Sequence, residues 1–119
     1  MFVTKEFTFD SAHFLPHYNG KCEDMHGHTY RLQVTVDGPV DEDGLVIDFA
    51  LLKQIVKKKV LDKLDHKLIN DVIKIPSAEN IAIWIWKQVA GTAEFPKKVD
   101  LHEVKVWETA NSFVTYHGK

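Results

Sequence analysis

Ser77-Ala78-Glu79-Asn80-Ile81-Ala82-Ile83-Trp84-Ile85-Trp86-Lys87-Gln88-Val89-Ala90 is the stretch on which the fold turns. Ile81, Trp84, Ile85 and Val89 lie at helical spacing and give one apolar stripe. The run 81–86 also alternates, as a strand would. The start of the segment favours helix. Ser77 follows Pro76 and can cap the first turn, Glu79 suits the positive end of the helix dipole, and Gly91 suits a stop.

Working outward, Asp48 is a second N-cap, followed by Phe49, Leu52, Ile55, Val56 and Val60 at helical spacing. Lys53, Lys57, Lys58 and Lys59 fall mostly on the other face, as a solvated basic face does. Residues 2–10 (FVTKEFTFD) alternate apolar and polar and read as a strand. Residues 28–37 (HTYRLQVTVD) alternate again, with Tyr30, Leu32, Val34 and Val36 on one face. Residues 101–108 and 112–117 read as two closing strands joined by Thr109-Ala110-Asn111. The order is strand, strand, helix, helix, strand, strand. Strands adjacent in sequence pair as hairpins, so the expectation is an α+β layer. It has a four-stranded antiparallel sheet, helices on one face and two open edges that invite pairing between subunits.

Composition restricts function. At 119 residues the chain is expected to be one domain spanning 1–119. Apolar residues make up 45% and charged residues 27%, an ordinary globular balance that excludes disordered and fibrous classes. No apolar run reaches membrane-spanning length, and 1–10 does not read as a secretory signal. A net charge of -2 makes no general electrostatic case for nucleic acid. The single cysteine, Cys22, cannot form an internal disulfide, which fits a reducing compartment such as the cytoplasm.

The chemistry concentrates in Cys22-Glu23-Asp24-Met25-His26-Gly27-His28. Two histidines one residue apart on a strand present both imidazoles to one face, a natural pair of metal ligands. Gly27 leaves room for a bend or a close ligand. Zinc favours imidazole nitrogen, and a catalytic zinc takes three protein ligands and one open position. A hairpin of the first two strands returns His13 to this pair, with His17 as rival third ligand. Cys22 admits three roles: fourth ligand in a closed site, thiolate off the metal, or small inert hydrophobe. Asp65-His66 lies between the helices, where the carboxylate can orient the imidazole or both can serve as caps. Glu108 ends the third strand, where a carboxylate can take two N–H donors from a guanidine-like heterocycle.

Five motifs occur in one order: Ser11-Ala12-His13, C-x-x-x-H-G-H at 22–28, L-D-H at 64–66, S-A-E-N at 77–80 and W-E-T at 107–109. Together they resemble the 6-pyruvoyl-tetrahydropterin synthase superfamily over essentially the whole chain. The three-residue gap between Cys22 and His26 is similar to that of its bacterial 6-carboxy-5,6,7,8-tetrahydropterin synthase branch, of queuosine biosynthesis. The resemblance implies the tunnelling fold, with trimers forming barrels that stack into homohexamers. It implies zinc on His13, His26 and His28. It implies Cys22 as catalytic thiol with Asp65 and His66 as proton-transfer partners, from the same or a neighbouring subunit. Glu108 would anchor the pterin, and Ser77, Ala78 and Glu79 would lie in the pterin-contacting segment. The substrate implied is 7,8-dihydroneopterin triphosphate. Lys21 and Arg31 are candidate triphosphate contacts. The same scaffold can stop at 6-pyruvoyl-tetrahydropterin. A non-enzymatic zinc module with Cys22 as fourth ligand is the remaining alternative.

Overall fold

The computed structural model describes residues 1–17 and 23–119. Strand β1 (Phe2–His13) pairs antiparallel with β2 (His26–Asp37) over its whole length. β2 pairs antiparallel with β4 (Asp100–Thr109), and β4 with β5 (Ser112–Tyr116). The alternation seen in 2–10 and 28–37 therefore has the expected consequence. Phe7, Phe9, Tyr30, Leu32, Val34, Val36, Val104 and Val106 share the inner face and are buried.

Two helical stretches cover that face. The first is α1 (Phe49–Val56), a π turn (Lys57–Leu61) and α2 (Asp62–Leu64) in unbroken succession. Asp48 caps it, accepting from the Ala50 amide at 2.8 Å. Leu52, Val56, Val60 and Leu64 are all fully buried although they step by four. In a straight α-helix such steps drift by about 40° each. The wider π turn takes back part of that drift, which keeps Val60 and Leu64 on the core. The second stretch is α3 (Ala78–Ala90), capped as expected by Ser77, whose hydroxyl accepts from the Asn80 amide at 3.1 Å. Ile81, Ala82, Ile85 and Val89 face inward. The helical reading of 81–86 thus holds, with one change: Ala82 is buried where Trp84 was expected, and Trp84 is only partly buried. The lysine face behaves as a solvated one, with Lys57 on Asp62 at 2.8 Å and Lys58 on Glu94 at 3.3 Å.

The sheet departs from expectation in one respect. Among the described residues it has five strands, not four: with β3 (Lys67–Leu68) at one edge the order is β3-β1-β2-β4-β5, and it is not wholly antiparallel. The added strand lies between the two helical stretches and runs parallel to Ser11 and Ala12. So the order ββααββ is interrupted by a strand too short to show a period. Its cause is local. Asp65 is extended, His66 takes left-handed backbone at φ 59°, and the His66 amide donates to the Asp10 carbonyl at 2.6 Å. That turn lays the next two residues along the end of β1. Elsewhere, 2–9 of β1 and the outer side of β5 pair with no further strand among the described residues.

Candidate metal and pterin site

The register of the first hairpin builds the site. His13 is opposite His26, and Ser11 is opposite His28. Paired residues share a face, so three imidazoles meet at one end of the sheet. Their ring centroids are 4.7–5.0 Å apart, and one nitrogen from each lies within 4.8 Å of the others. His13 is 2% exposed.

Hydrogen bonds orient the rings. His13 Nδ1 donates to the Pro76 carbonyl at 2.8 Å, and His26 Nδ1 to the Asp24 carbonyl at 2.9 Å. Each backbone acceptor holds the proton on Nδ1 and leaves the Nε2 lone pair facing the cluster. The two Nε2 atoms are 3.2 Å apart. Among the described residues His28 Nε2 has no hydrogen-bond partner; it is buried, 3.4 Å from Glu108 Oε1. Burial pushes the His28 pKa below its ordinary value. Glu108 opposes this, and His13 and His26 add to the lowering. A neutral imidazole is the form that ligates metal. Convergent imidazoles, two of them with set tautomers and one with an orphaned nitrogen, fit a zinc ion with three protein ligands.

Two neighbours, Tyr30 and Glu23, had no role at this cluster in the sequence reading. Tyr30 forms the floor, edge-on to His13 and His28 at 5.9 and 5.5 Å and stacked on Phe9 at 5.0 Å. Its hydroxyl is buried with no hydrogen-bond partner among the described residues, and burial, then Glu108 and Glu23, push its pKa far above the ordinary value. Glu23 accepts from the Leu15 amide at 3.1 Å and lies 3.9 Å from His26. Alternation alone marked Tyr30 as core; only the register shows what it lies beneath.

The other expected residues distribute unevenly. His17, the rival ligand, is exposed, has φ 62° and lies outside the cluster. Cys22 and Lys21 lie outside the described residues. Gly27 has extended backbone opposite Ala12. Among the described residues a Cβ there would meet the Ser11 carbonyl alone, at 3.5 Å, so neither that contact nor the extended backbone demands glycine. Ser77 spends its hydroxyl on the α3 cap, while the adjoining Pro76 carbonyl holds His13. This segment therefore touches the site through backbone, with Ala78 and Glu79 in the first turn of α3. Arg31 is on the other face of β2, with its guanidinium carbon 3.8 Å over the Trp107 ring and Glu6 at 3.9 Å.

Asp65 and His66 form a separate cluster with Asp10. Asp65 Oδ1 accepts from the Asp10 amide at 2.9 Å and lies 3.1 Å from His66 Nδ1. The Asp10 amide, more than His66, holds the Asp65 carboxyl below its ordinary pKa. The His66 side chain is 78% exposed. A groove of about 540 Å³ runs past this cluster, lined by Asp10, Gly27, His28, Thr29, His66 and Lys67 among others.

Comparison with known proteins agrees with this geometry. The profile of the family described as 6-pyruvoyl tetrahydropterin synthase matches residues 2–119. A Dictyostelium discoideum protein named 6-pyruvoyl tetrahydrobiopterin synthase is 47% identical over 107 residues, spanning 84% of this chain and 76% of the relative. A Haemophilus influenzae protein named 6-carboxy-5,6,7,8-tetrahydropterin synthase is 35% identical over 140 residues, spanning 96% of each. The structure of Caenorhabditis elegans 6-pyruvoyl tetrahydropterin synthase superposes with a TM-score of 0.86 at 28% identity, covering 100% of this chain and 96% of that one.

Proposed function

The chain belongs to the 6-pyruvoyl tetrahydropterin synthase family, and from that premise we propose that it is a zinc-dependent lyase acting on 7,8-dihydroneopterin triphosphate. With uptake of water, the products are 6-carboxy-5,6,7,8-tetrahydropterin, acetaldehyde and triphosphate, as a step of 7-deazaguanine (queuosine) synthesis. The observation that carries this reading is the meeting of His13, His26 and His28 beside the Glu108 carboxylate.

His13, His26 and His28 would hold the zinc. When bound, it supplies Lewis acidity toward the oxygens of the substrate side chain. The chain's own groups do the rest. The Glu108 carboxylate takes N–H donors of the pterin ring and so aims the side chain at the histidines, a positioning effect. Cys22 and the Asp65–His66 pair move protons to and from the side-chain carbons as triphosphate leaves and the carbon–carbon bond breaks. Because His66 is exposed and turned toward Asp65, it is available to a site on a second copy of the chain. The assembly proposed is a trimer or a hexamer of two trimers, joined through the open sheet edges.

A second reading keeps the scaffold and stops at 6-pyruvoyl-tetrahydropterin. The 47% identity to the Dictyostelium relative favours it; the short Cys22–His26 gap favours the carboxy product. Incubation of the zinc-loaded protein with 7,8-dihydroneopterin triphosphate, followed by mass identification, separates them. The expected pair is 6-carboxytetrahydropterin with acetaldehyde. The pyruvoyl product without acetaldehyde selects the second reading, and unchanged substrate removes both.

A further inference from the structure

At the opposite end of the sheet, away from the three histidines, a second set of ligand-type side chains converges. Thr35, the partner of Glu103, is seven steps along β2 from His28, so the two places are about 23 Å apart at strand rise. His102, Glu103 and His117 each offer an atom, all within 4.8 Å of one another. Two of them are sequence neighbours on a strand, and alternation would send them to opposite faces. A β-bulge prevents that. Thr35 pairs with Glu103 and Val36 with Leu101, so His102 is the extra residue on β4. A bulge re-aims a side chain, and here it turns His102 toward the side of Glu103.

The set is held before any ligand arrives. His102 stacks on Phe2, at the start of β1, with centroids 4.1 Å apart and planes at 19°. Its ring lies 5.4 Å from that of His117. His117 Nε2 is 2.9 Å from Glu103 Oε2, while Lys105 lies 4.0 Å from the other oxygen. The chain beyond His117 is anchored too. Gly118 has φ 89°, and a Cβ there would lie 2.5 Å from Trp86 Cζ2, so its backbone rests directly against the α3 indole. Tyr116 also meets Trp86 edge-on at 5.7 Å.

We propose that His102, Glu103 and His117 form a second divalent transition-metal site, distinct from the His13–His26–His28 cluster. Two imidazoles and one carboxylate suit zinc, cobalt or nickel. One carboxylate is too few for calcium, which takes six to eight oxygens. Three protein ligands leave positions for water. A metal on His117 Nε2 would displace the proton that this nitrogen donates to Glu103: a cationic ring would release it to solvent, and a neutral ring would carry it on Nδ1 instead. The metal would tie the beginning of β1, through His102, to β4 and to the residue that follows β5.

The test is titration of the apoprotein with Co²⁺, followed by visible absorption and by metal counting after gel filtration. His117→Ala should bind one equivalent fewer per chain than wild type. Glu103→Gln, which keeps the shape and loses the charge, should weaken the same equivalent at least tenfold. His26→Ala should leave that equivalent in place, so the result is independent of what the first site holds. Far-ultraviolet circular dichroism matching wild type checks that the variants fold. Titration of His117→Ala and Glu103→Gln indistinguishable from wild type overturns the proposal. So does a wild type whose whole cobalt content disappears in His26→Ala.

Discussion

At the scale of single residues, the proposed function sets groups that would hold a metal against groups that would hold the substrate or move a proton. His26 is oriented by the Asp24 carbonyl and faces His13 at 3.2 Å. His26→Ala should therefore lose the zinc of this site while the fold stays intact, because no core residue depends on that ring; metal analysis reads this directly. Glu108 lies beside the cluster rather than within its three imidazoles. Glu108→Ala should keep zinc but raise KM. Losing a hydrogen bond to a charged group costs about 1.5–3 kcal/mol, so kcat/KM should fall roughly 10- to 100-fold. Cys22→Ala should keep both zinc and substrate affinity and lose about 10²–10⁴-fold in kcat, the usual contribution of a proton-transfer group. A Cys22→Ala protein without zinc would make the thiol a ligand instead, and would move the site toward a closed structural one.

At the scale of elements, helix caps and strand register cooperate to build the site. Ser77 caps α3, and the carbonyl just before it fixes the His13 tautomer. Ser77→Ala removes the acceptor of the Asn80 amide. It should cost about 1 kcal/mol, the usual value of an N-cap, and lower the Tm by a few degrees. Calorimetry showing no change would mean that another group takes over the cap. The two-residue β3 is the element hardest to foresee. It exists because Asp65 and His66 clasp the Asp10 backbone from both sides, amide to carboxylate and carbonyl to amide. An Asp-His pair in a sequence carries no sign of which strand it will meet.

At the scale of the whole molecule, the sheet outruns its cover. The radius of gyration is 15.2 Å and the longest dimension 55 Å, against about 13.5 Å for a compact chain of this length. Phe2, Phe49 and Phe113 are more than half exposed. Apolar surface and unpaired strand edges together invite association. No helix among the described residues is long and apolar enough to cross a membrane. Light scattering at micromolar concentration should report a mass of three or six times 13.7 kDa. A monomer would contradict the proposed site shared between copies.

Periodicity by itself determined the two hairpins, both capped helices and the inner face of β2. Those features depend on the spacing of apolar side chains and on local caps, and both are written along the chain. The pairing of His13 with the H-G-H histidines was legible for the same reason: a hairpin's register follows from its own two strands. The rest needed the tertiary structure. Tyr30 is visible as a core residue, but not as the floor of a histidine cluster. Asp10 reads as the polar end of a strand until α2 delivers Asp65 to its amide. Adjacent His102 and Glu103 read as opposite-facing until a bulge, opposed by β2, turns them together. Each of these depends on which backbone lies alongside, and that is settled only when elements distant in sequence pack against one another.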